Sequence, residues 1–294
     1  MEGLQGAGKS TLVGKLAEKF PKHRVFREGD YNPVELAWCS YLTKEQYEAV
    51  LGRYETLVEE MRENTTFEPA KKPLVKAEMA KGGAESKKAC CIDMDAQGAV
   101  DVRKAGAAAD HYVLTYTRII TDIPGFHKDL EQYEIYNGRV DRDTFDQIIF
   151  SRFAKWRGDD QIFECSIFQN IVENQILFYE MTDDEIVAFY KRLADVIKDR
   201  EFKILYLDVE WVAGALEIIR KERVDAQGNE MWYPLMLGFL ENCPHGKREG
   251  LKGFEGLVSH LEHRKALELR ILREVFPKQA VILKSKDYDL TNIM

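Results

Sequence analysis

The chain has 294 residues, 45% of them hydrophobic and 31% charged, which suits one globular domain over residues 1–294. Its formal charge of −8 repels phosphate backbones, so the composition disfavours nucleic-acid binding. No apolar run reaches the roughly 18 residues that a membrane span needs. The five scattered cysteines indicate reduced thiols, and we therefore expect a cytoplasmic protein that binds neither nucleic acid nor membrane.

In the first quarter of the chain, the spacing of hydrophobic residues predicts two helices and one strand. The first helix covers KSTLVGKLAEKF, with Leu12, Leu16 and Phe20 on one face. The segment RVFREGD is typical of a short strand that ends in charged residues. A second helix is expected after Thr43, because Thr43 and Gln46 form a capping-box pattern ahead of apolar residues at helical spacing.

Residues 68–110 differ in composition from the sequence on either side. They are rich in Ala and Lys and contain Gly82 and Gly83, which indicates an insertion into the domain, partly flexible. Directly after the insertion, HYVLTYTRI is strongly β-prone.

The rest of the sequence alternates between strand and helix patterns. A helix is predicted at 145–156, QIFECSIFQN begins as an apolar strand, and a capping box of Thr182 and Glu185 opens another helix. FKILYLDV is typical of a buried strand, and a long helix around 258–275 precedes a last strand, QAVILKS. We expect residues 220–253 to form a lid-like region. The alternation predicts a three-layer α/β/α fold with a mainly parallel sheet.

The segment GLQGAGKS, from Gly3 to Ser10, matches the pattern G-x-x-x-x-G-K-[ST] of a phosphate-binding loop and continues into the first helix. Glycines let backbone N–H groups wrap an anion, and the start of the helix adds a favourable dipole. We expect Lys9 to reach the β- and γ-phosphates of ATP and Ser10 to bind Mg²⁺. The residues predicted to bind ATP are Gly3, Gly6, Ala7, Gly8, Lys9, Ser10 and Thr11.

The position of this loop at the start of the chain is unusual. A phosphate-binding loop normally follows a buried strand, but only two residues precede Gly3. We therefore expect a P-loop NTPase fold whose first strand is missing from this chain, and a natural protein that begins upstream of Met1.

Acidic residues lie where two of the predicted strands end. Glu28 and Asp30 close the second strand of the expected fold, RVFREGD, and Glu164 closes its third strand, which begins at QIF. Ligands of parallel sheets bind at the carboxyl ends of the strands, so these acids are candidates for chemistry. Arg220 and Arg223 precede the polar segment DAQGNE and are either cations of a closing lid or part of a solvated helix end.

At these residues the chain resembles the deoxynucleoside kinase and thymidylate kinase group of P-loop kinases. The matching segments, in order, are GLQGAGKST, FREGD, FECS, IIRKER and AVILKS. The resemblance implies that Glu28 or Asp30 acts as the base or contacts the substrate, and that Glu164 binds Mg²⁺ together with Ser10. The residues expected to be catalytic are Lys9, Glu28, Asp30, Glu164, Arg220 and Arg223.

One position departs from the pattern of that group. Cys165 stands where the group has an arginine next to the acid of the third strand. Arg142 and Arg152 are both candidates to replace its charge, and the sequence does not decide between them. The departure leaves the acceptor open.

The sequence thus predicts an ATP-dependent kinase that transfers the γ-phosphoryl group to a small molecule. The resemblance favours nucleosides or nucleotides as acceptors, and another hydroxylated metabolite stays open. The alternative is a nucleotide-binding regulatory or structural protein with little turnover. A homodimer is compatible with the sequence but not required by it.

Overall fold

The computed structural model describes residues 1–70, 109–286 and 288, which form an α/β structure with parallel sheets. Its strands are β1 (Glu2–Gly3), β2 (Arg24–Phe26), β3 (Ser40–Leu42), β4 (Thr65–Glu68), β5 (His111–Leu114), β6 (Gln161–Phe163), β7 (Ile204–Asp208) and β8 (Ala280–Lys284). Its helices are α1 (Lys9–Lys19), α2 (Lys44–Arg53), α3 (Val58–Glu63), α4 (Phe126–Glu131), α5 (Arg142–Lys155), α6 (Gln169–Leu177), α7 (Asp183–Val196), α8 (Val212–Glu222), α9 (Trp232–Asn242), α10 (Pro244–Glu249) and α11 (Gly253–Glu274).

The parallel strands lie in the order β2-β6-β1-β7-β8. β1 pairs with β7 and β7 with β8, while β2 pairs with β6. Two backbone hydrogen bonds join these groups, since the Met1 nitrogen donates to the Phe163 oxygen (2.7 Å) and the Cys165 nitrogen donates to the Met1 oxygen (3.0 Å). This slanted pattern is that of parallel neighbours, so β6 and β1 are adjacent.

The expectation that the first strand is missing is wrong, because Glu2–Gly3 form β1 directly before the glycine-rich segment. Two residues are too few to show an alternating pattern, and Glu2 is a charged residue at a buried position. Its carboxylate accepts hydrogen bonds from the backbone nitrogens of Ser166 (2.8 Å), Ile167 (3.0 Å) and Phe168 (3.3 Å). These bonds replace the water that burial removes.

A second, antiparallel sheet has the order β3-β5-β4 and its own hydrophobic cluster. The sequence did not predict β3 or β4, and the mainly parallel sheet is therefore only part of the strand structure. Glu68 at the end of β4 pairs with His111 at the start of β5. The predicted insertion thus connects two neighbouring strand ends, and its residues 71–108 lie outside the described residues.

The helices follow the predicted spacing closely where a cap marks their start. The capping boxes of Thr43 with Gln46 and of Thr182 with Glu185 are both present, at α2 and α7. The lid-like region 220–253 contains α9 and α10, which the sequence did not predict as helices. Within the described residues, no helix is both long enough and apolar enough to cross a membrane.

Candidate functional site

The topology of the parallel sheet singles out one position at the carboxyl ends of its strands. From β1 the chain first builds β2 and β6 on one side and later builds β7 and β8 on the other. In such sheets, ligands bind outside the carboxyl ends of the strands where the direction of winding reverses, here between β6 and β1. The glycine loop, residues 3–10, leaves β1 at this point, and Glu164 follows β6 at the same point.

Glycines at positive φ angles shape the glycine loop, as Gly6 and Gly8 show. Gly6 has φ +74° and Gly8 has φ +96°, conformations that residues with a Cβ rarely adopt. A Cβ added to Gly6 would lie 2.4 Å from Ile219 Cδ1, and one added to Gly8 would lie 2.5 Å from the Tyr288 hydroxyl. Gly8 precedes α1 and no side chain caps its first turn, so the loop presents amides suited to an anion.

Lys9 is buried at the centre of the glycine loop. Its Nζ donates hydrogen bonds to the backbone oxygens of Gly3 (2.8 Å) and Leu4 (2.9 Å). The middle of the loop is held by the segment after β8, because the Ser285 hydroxyl donates a hydrogen bond to the Ala7 oxygen (3.1 Å). Thr11 is exposed in the first turn of α1. The Lys9 ammonium is therefore held by the backbone at the start of the glycine loop.

Ser10 and Glu164, the two predicted Mg²⁺ ligands, are in direct contact. The Ser10 hydroxyl donates to Glu164 Oε1 at 2.5 Å, across 154 positions of sequence. In the described part of the chain, no group of three or more His, Cys, Asp and Glu side chains forms a metal-binding set. A hydroxyl and one carboxylate nevertheless suit Mg²⁺, which commonly takes few protein ligands and completes its shell with phosphate oxygens and water.

The turn after β6, residues 164–168, lies against the segment that follows β2. Cys165 is buried and has φ +57°, an uncommon conformation for a non-glycine residue, and such outliers cluster at functional sites. Burial raises the pKa of its thiol well above the ordinary value. Ser166, the next residue, accepts a 2.6 Å hydrogen bond from Asn32 Nδ2. Cys165 therefore supplies a backbone turn and not the charge of an arginine.

The structure separates the two acids that close the second strand. Glu28 Oε1 accepts a 2.6 Å hydrogen bond from Gln169 Nε2, which brings its carboxylate to the turn after β6. The indole nitrogen of Trp38 lies 3.4 Å from the same oxygen, and 47% of this tryptophan is exposed. Asp30 instead pairs with Arg118 and accepts from the Arg27 backbone nitrogen (3.3 Å) in a local turn. Glu28 is therefore the better placed of the two.

The two arginines considered as replacements for Cys165 also differ in position. Arg142 forms a 2.9 Å ion pair with Glu185, and both side chains are largely exposed. Arg152 is buried and donates from Nη1 to both carboxylate oxygens of Glu68, at 2.6 and 2.7 Å. Its Nη2 donates to the backbone oxygen of Asn32 (2.6 Å). Only Arg152 reaches the segment that faces the turn after β6.

The two arginines of the lid-like region bind within that region. Arg220 pairs with Glu230 at 2.9 Å and lies 4.1 Å from the centre of the Tyr233 ring. Arg223 lies over the Trp232 ring at 5.3 Å. The preceding residue of α8, Ile219, is the one that packs against Gly6. Arg220 is thus next in sequence to a residue that packs against the glycine loop, but neither arginine contacts Lys9 or Glu164 in this structure.

A buried polar network that the sequence did not predict lies under the loop. Arg264 on α11 is fully buried, contacts Glu173 and donates from Nη2 to Gln5 Oε1 in the loop (3.1 Å). His260 lies 2.6 Å from the other oxygen of Glu173, and Glu268 lies 3.2 Å from Arg264 Nε. Burial alone would raise the pKa of Glu173, but His260 and Arg264 outweigh it and lower the pKa to about 2. The spacing of His260, Arg264 and Glu268 on one helix face was the sequence signal for this network, although a stripe of charged residues on a helix is usually solvent-exposed.

Glu35 gives the structure a testable pH dependence. It is buried, and desolvation raises the pKa of its carboxyl from 4.5 to about 8. Folding therefore takes up a proton between these pH values, and the free energy of unfolding falls as the pH rises from 4.5 towards 8. We expect Glu35→Gln to flatten this fall, so that the variant gains stability relative to the wild type at pH 8 compared with pH 5. Urea unfolding at several pH values measures it, and parallel pH profiles would contradict the assignment.

Comparisons with known proteins gave no match: no protein-family model, no curated protein and no solved structure matches the chain.

Proposed function

We propose that the protein is an ATP-dependent kinase of the P-loop class that phosphorylates a hydroxylated small molecule. The observation that carries the proposal is the 2.5 Å contact of Ser10 with Glu164 at the end of the glycine loop. The sequence motif alone specifies Lys9 and Ser10, whereas the acid comes from a different strand. Mg²⁺-dependent phosphoryl transfer needs such an acid next to the serine of the motif, and Glu164 lies there.

The position of the loop supports a P-loop NTPase fold. The loop joins a central parallel strand to a helix, at the point of the sheet where winding reverses direction. Gly6 and Gly8 have positive φ angles, and the Lys9 ammonium binds the backbone oxygens at the start of the loop. Each of these features favours the triphosphate of a nucleotide as the ligand.

The residues divide the reaction among them. Loop amides and Lys9 hold the β- and γ-phosphates, and Glu28 orients the acceptor hydroxyl. A bond forms between the acceptor oxygen and the γ-phosphorus, while the bond from that phosphorus to the β–γ bridging oxygen breaks and ADP leaves. The hydroxyl proton passes to the carboxylate of Glu28.

The oxygens of Ser10 and Glu164 would hold Mg²⁺, which neutralises charge on the phosphates when it is bound. Arg220 pairs with Glu230 and Arg223 lies over the Trp232 ring, so both guanidinium groups contact residues of the lid-like region. A closing movement of that region would bring a guanidinium to the γ-phosphate. The exposed indole of Trp38 beside Glu28 offers a surface for a planar acceptor such as a nucleobase.

Glu164→Gln tests the metal assignment. The amide keeps the size of the side chain and its hydrogen bond to Ser10 but loses the charge that binds Mg²⁺. We expect kcat to fall by about 10²–10³-fold and the Mg²⁺ concentration for half-maximal activity to rise. Glu217→Gln, an exposed glutamate on α8, is the matched control and should leave both quantities unchanged. Equal effects of the two substitutions on kcat and on the Mg²⁺ requirement would contradict the assignment of Glu164 as a metal ligand.

The rival function is a nucleotide-binding regulatory or structural protein with little turnover. Its support is that Arg220 and Arg223 bind local partners and make no contact with Lys9 or Glu164 in this structure. ADP release from Mg²⁺–ATP, measured with a panel of nucleosides, nucleotides and other alcohols, separates the two. Release that depends on one acceptor supports the kinase, whereas tight ATP binding without release under any acceptor supports the rival.

A further inference from the structure

The Arg152–Glu68 pair is a buried charge arrangement that the proposed reaction does not use. Arg152 is 3% exposed, and its Nη1 meets both oxygens of Glu68 at 2.6 and 2.7 Å. The Tyr31 hydroxyl donates to the same carboxylate (2.9 Å), so Glu68 is held from two sides. Burial of such a pair is costly unless its geometry is good, and loss of either partner leaves a buried charge.

This pair lies close to the side of the site where the acceptor is proposed to bind. Arg152 Nη2 donates to the Asn32 oxygen (2.6 Å), and Asn32 Nδ2 donates to the Ser166 hydroxyl (2.6 Å). Ser166 follows Glu164 by two residues. The guanidinium is therefore connected through one residue to the turn that carries the proposed metal ligand.

The charges around that turn favour an uncharged acceptor. Glu164 lies in this turn and contacts Ser10, and Glu28 contacts Gln169 directly after the turn. Lys9 lies in the glycine loop, where it serves the phosphates of ATP. A phosphate monoester brings close to two negative charges and is normally bound by unpaired guanidinium groups. Arg152 is the guanidinium that reaches this turn through Asn32, and Glu68 neutralises it.

We propose that Glu68 determines which acceptor is used: by occupying Arg152, it selects a neutral hydroxyl acceptor and rejects a phosphate monoester. The inference rests on the proposed kinase function and narrows it. The phosphate of the monoester finds Arg152 already paired, so the monoester binds less well than the alcohol that shares the rest of its structure.

The test compares matched acceptors, namely four nucleosides and their 5′-monophosphates, with the wild type and with Glu68→Gln. We expect the wild type to have the higher kcat/KM for the nucleoside of each pair. Glu68→Gln keeps an oxygen for Arg152 and Tyr31 but frees the positive charge. It should shift the ratio of kcat/KM towards the monophosphate by about tenfold or more. Glu131→Gln, which removes the acid from the more exposed Arg139 pair, is the control and should leave the ratio unchanged.

A double variant, Glu68→Gln with Arg152→Met, covers the case in which the single variant does not fold. It removes both charges, so it should retain the preference of the wild type for the nucleoside. A wild type that prefers monophosphates, an unchanged ratio in folded Glu68→Gln, or a shift in the double variant would each overturn the role of Glu68 and leave the kinase standing. Folded wild type that transfers phosphate to no acceptor would instead reject the kinase itself, and the selection with it.

Discussion

Lys9→Ala is expected to abolish measurable phosphoryl transfer, a loss of about 10³-fold or more in kcat. In this structure the ammonium is buried and donates to the Gly3 and Leu4 oxygens, which keeps it at the centre of the glycine loop. With ATP bound, the same group has to neutralise the β- and γ-phosphates as negative charge moves during transfer. No other lysine of α1 starts from within the loop.

The control for this prediction is Lys19→Ala, at the exposed last turn of the same helix. It removes an equal charge at the far end of α1 and should leave kcat and KM near the wild-type values. Steady-state rates of ADP formation at saturating Mg²⁺ and acceptor measure both variants. Near-normal turnover by folded Lys9→Ala would show that the glycine loop does not bind the reacting phosphates.

Arg264→Met is expected to cause the largest loss of stability, about 3–5 kcal/mol in the free energy of unfolding. Arg264 is fully buried on α11, and its substitution leaves the carboxylates of Glu173 and Glu268 without their shared cation. It also removes the 3.1 Å hydrogen bond to Gln5, which ties α11 to the glycine loop. Loss of this bond should lower the affinity for ATP as well.

Arg270→Met on the same helix is the matched control. Arg270 pairs with Asp184 and Glu274 at the surface, where ion pairs contribute little. Urea unfolding at pH 7 should therefore show a large shift of the midpoint for Arg264→Met and a small one for Arg270→Met. Similar shifts for the two would mean that the network beneath the loop does not stabilise the fold.

Local patterns in the sequence were enough to predict features that depend on neighbouring residues. The capping boxes at Thr43 and Thr182 were predicted and confirmed, because both partners lie three residues apart. Glu28 and Glu164 were singled out because acids that end apolar strands gather at one edge of a parallel sheet. The structure places both at the same turn, although what they do there stays a prediction.

Features that join distant parts of the chain could not be predicted. Glu173 and Arg264 are 91 positions apart, and each looks like an ordinary surface charge in its own helix. Arg152 and Arg142 had equal claims in the sequence, since only the packing of α5 against the segment after β2 buries one of them. The short β1 was missed because a buried glutamate at Glu2 does not resemble a core strand until its amide partners are known.

The most direct test of the kinase is to follow the γ-phosphoryl group of labelled ATP in the presence of Mg²⁺ and the acceptor panel. If Ser10, Glu164 and Lys9 act as proposed, the label should appear in a phosphate ester of one acceptor class, in amounts equal to the ADP formed. Label found only as inorganic phosphate, or retained in intact ATP with every acceptor, would contradict phosphoryl transfer at this site.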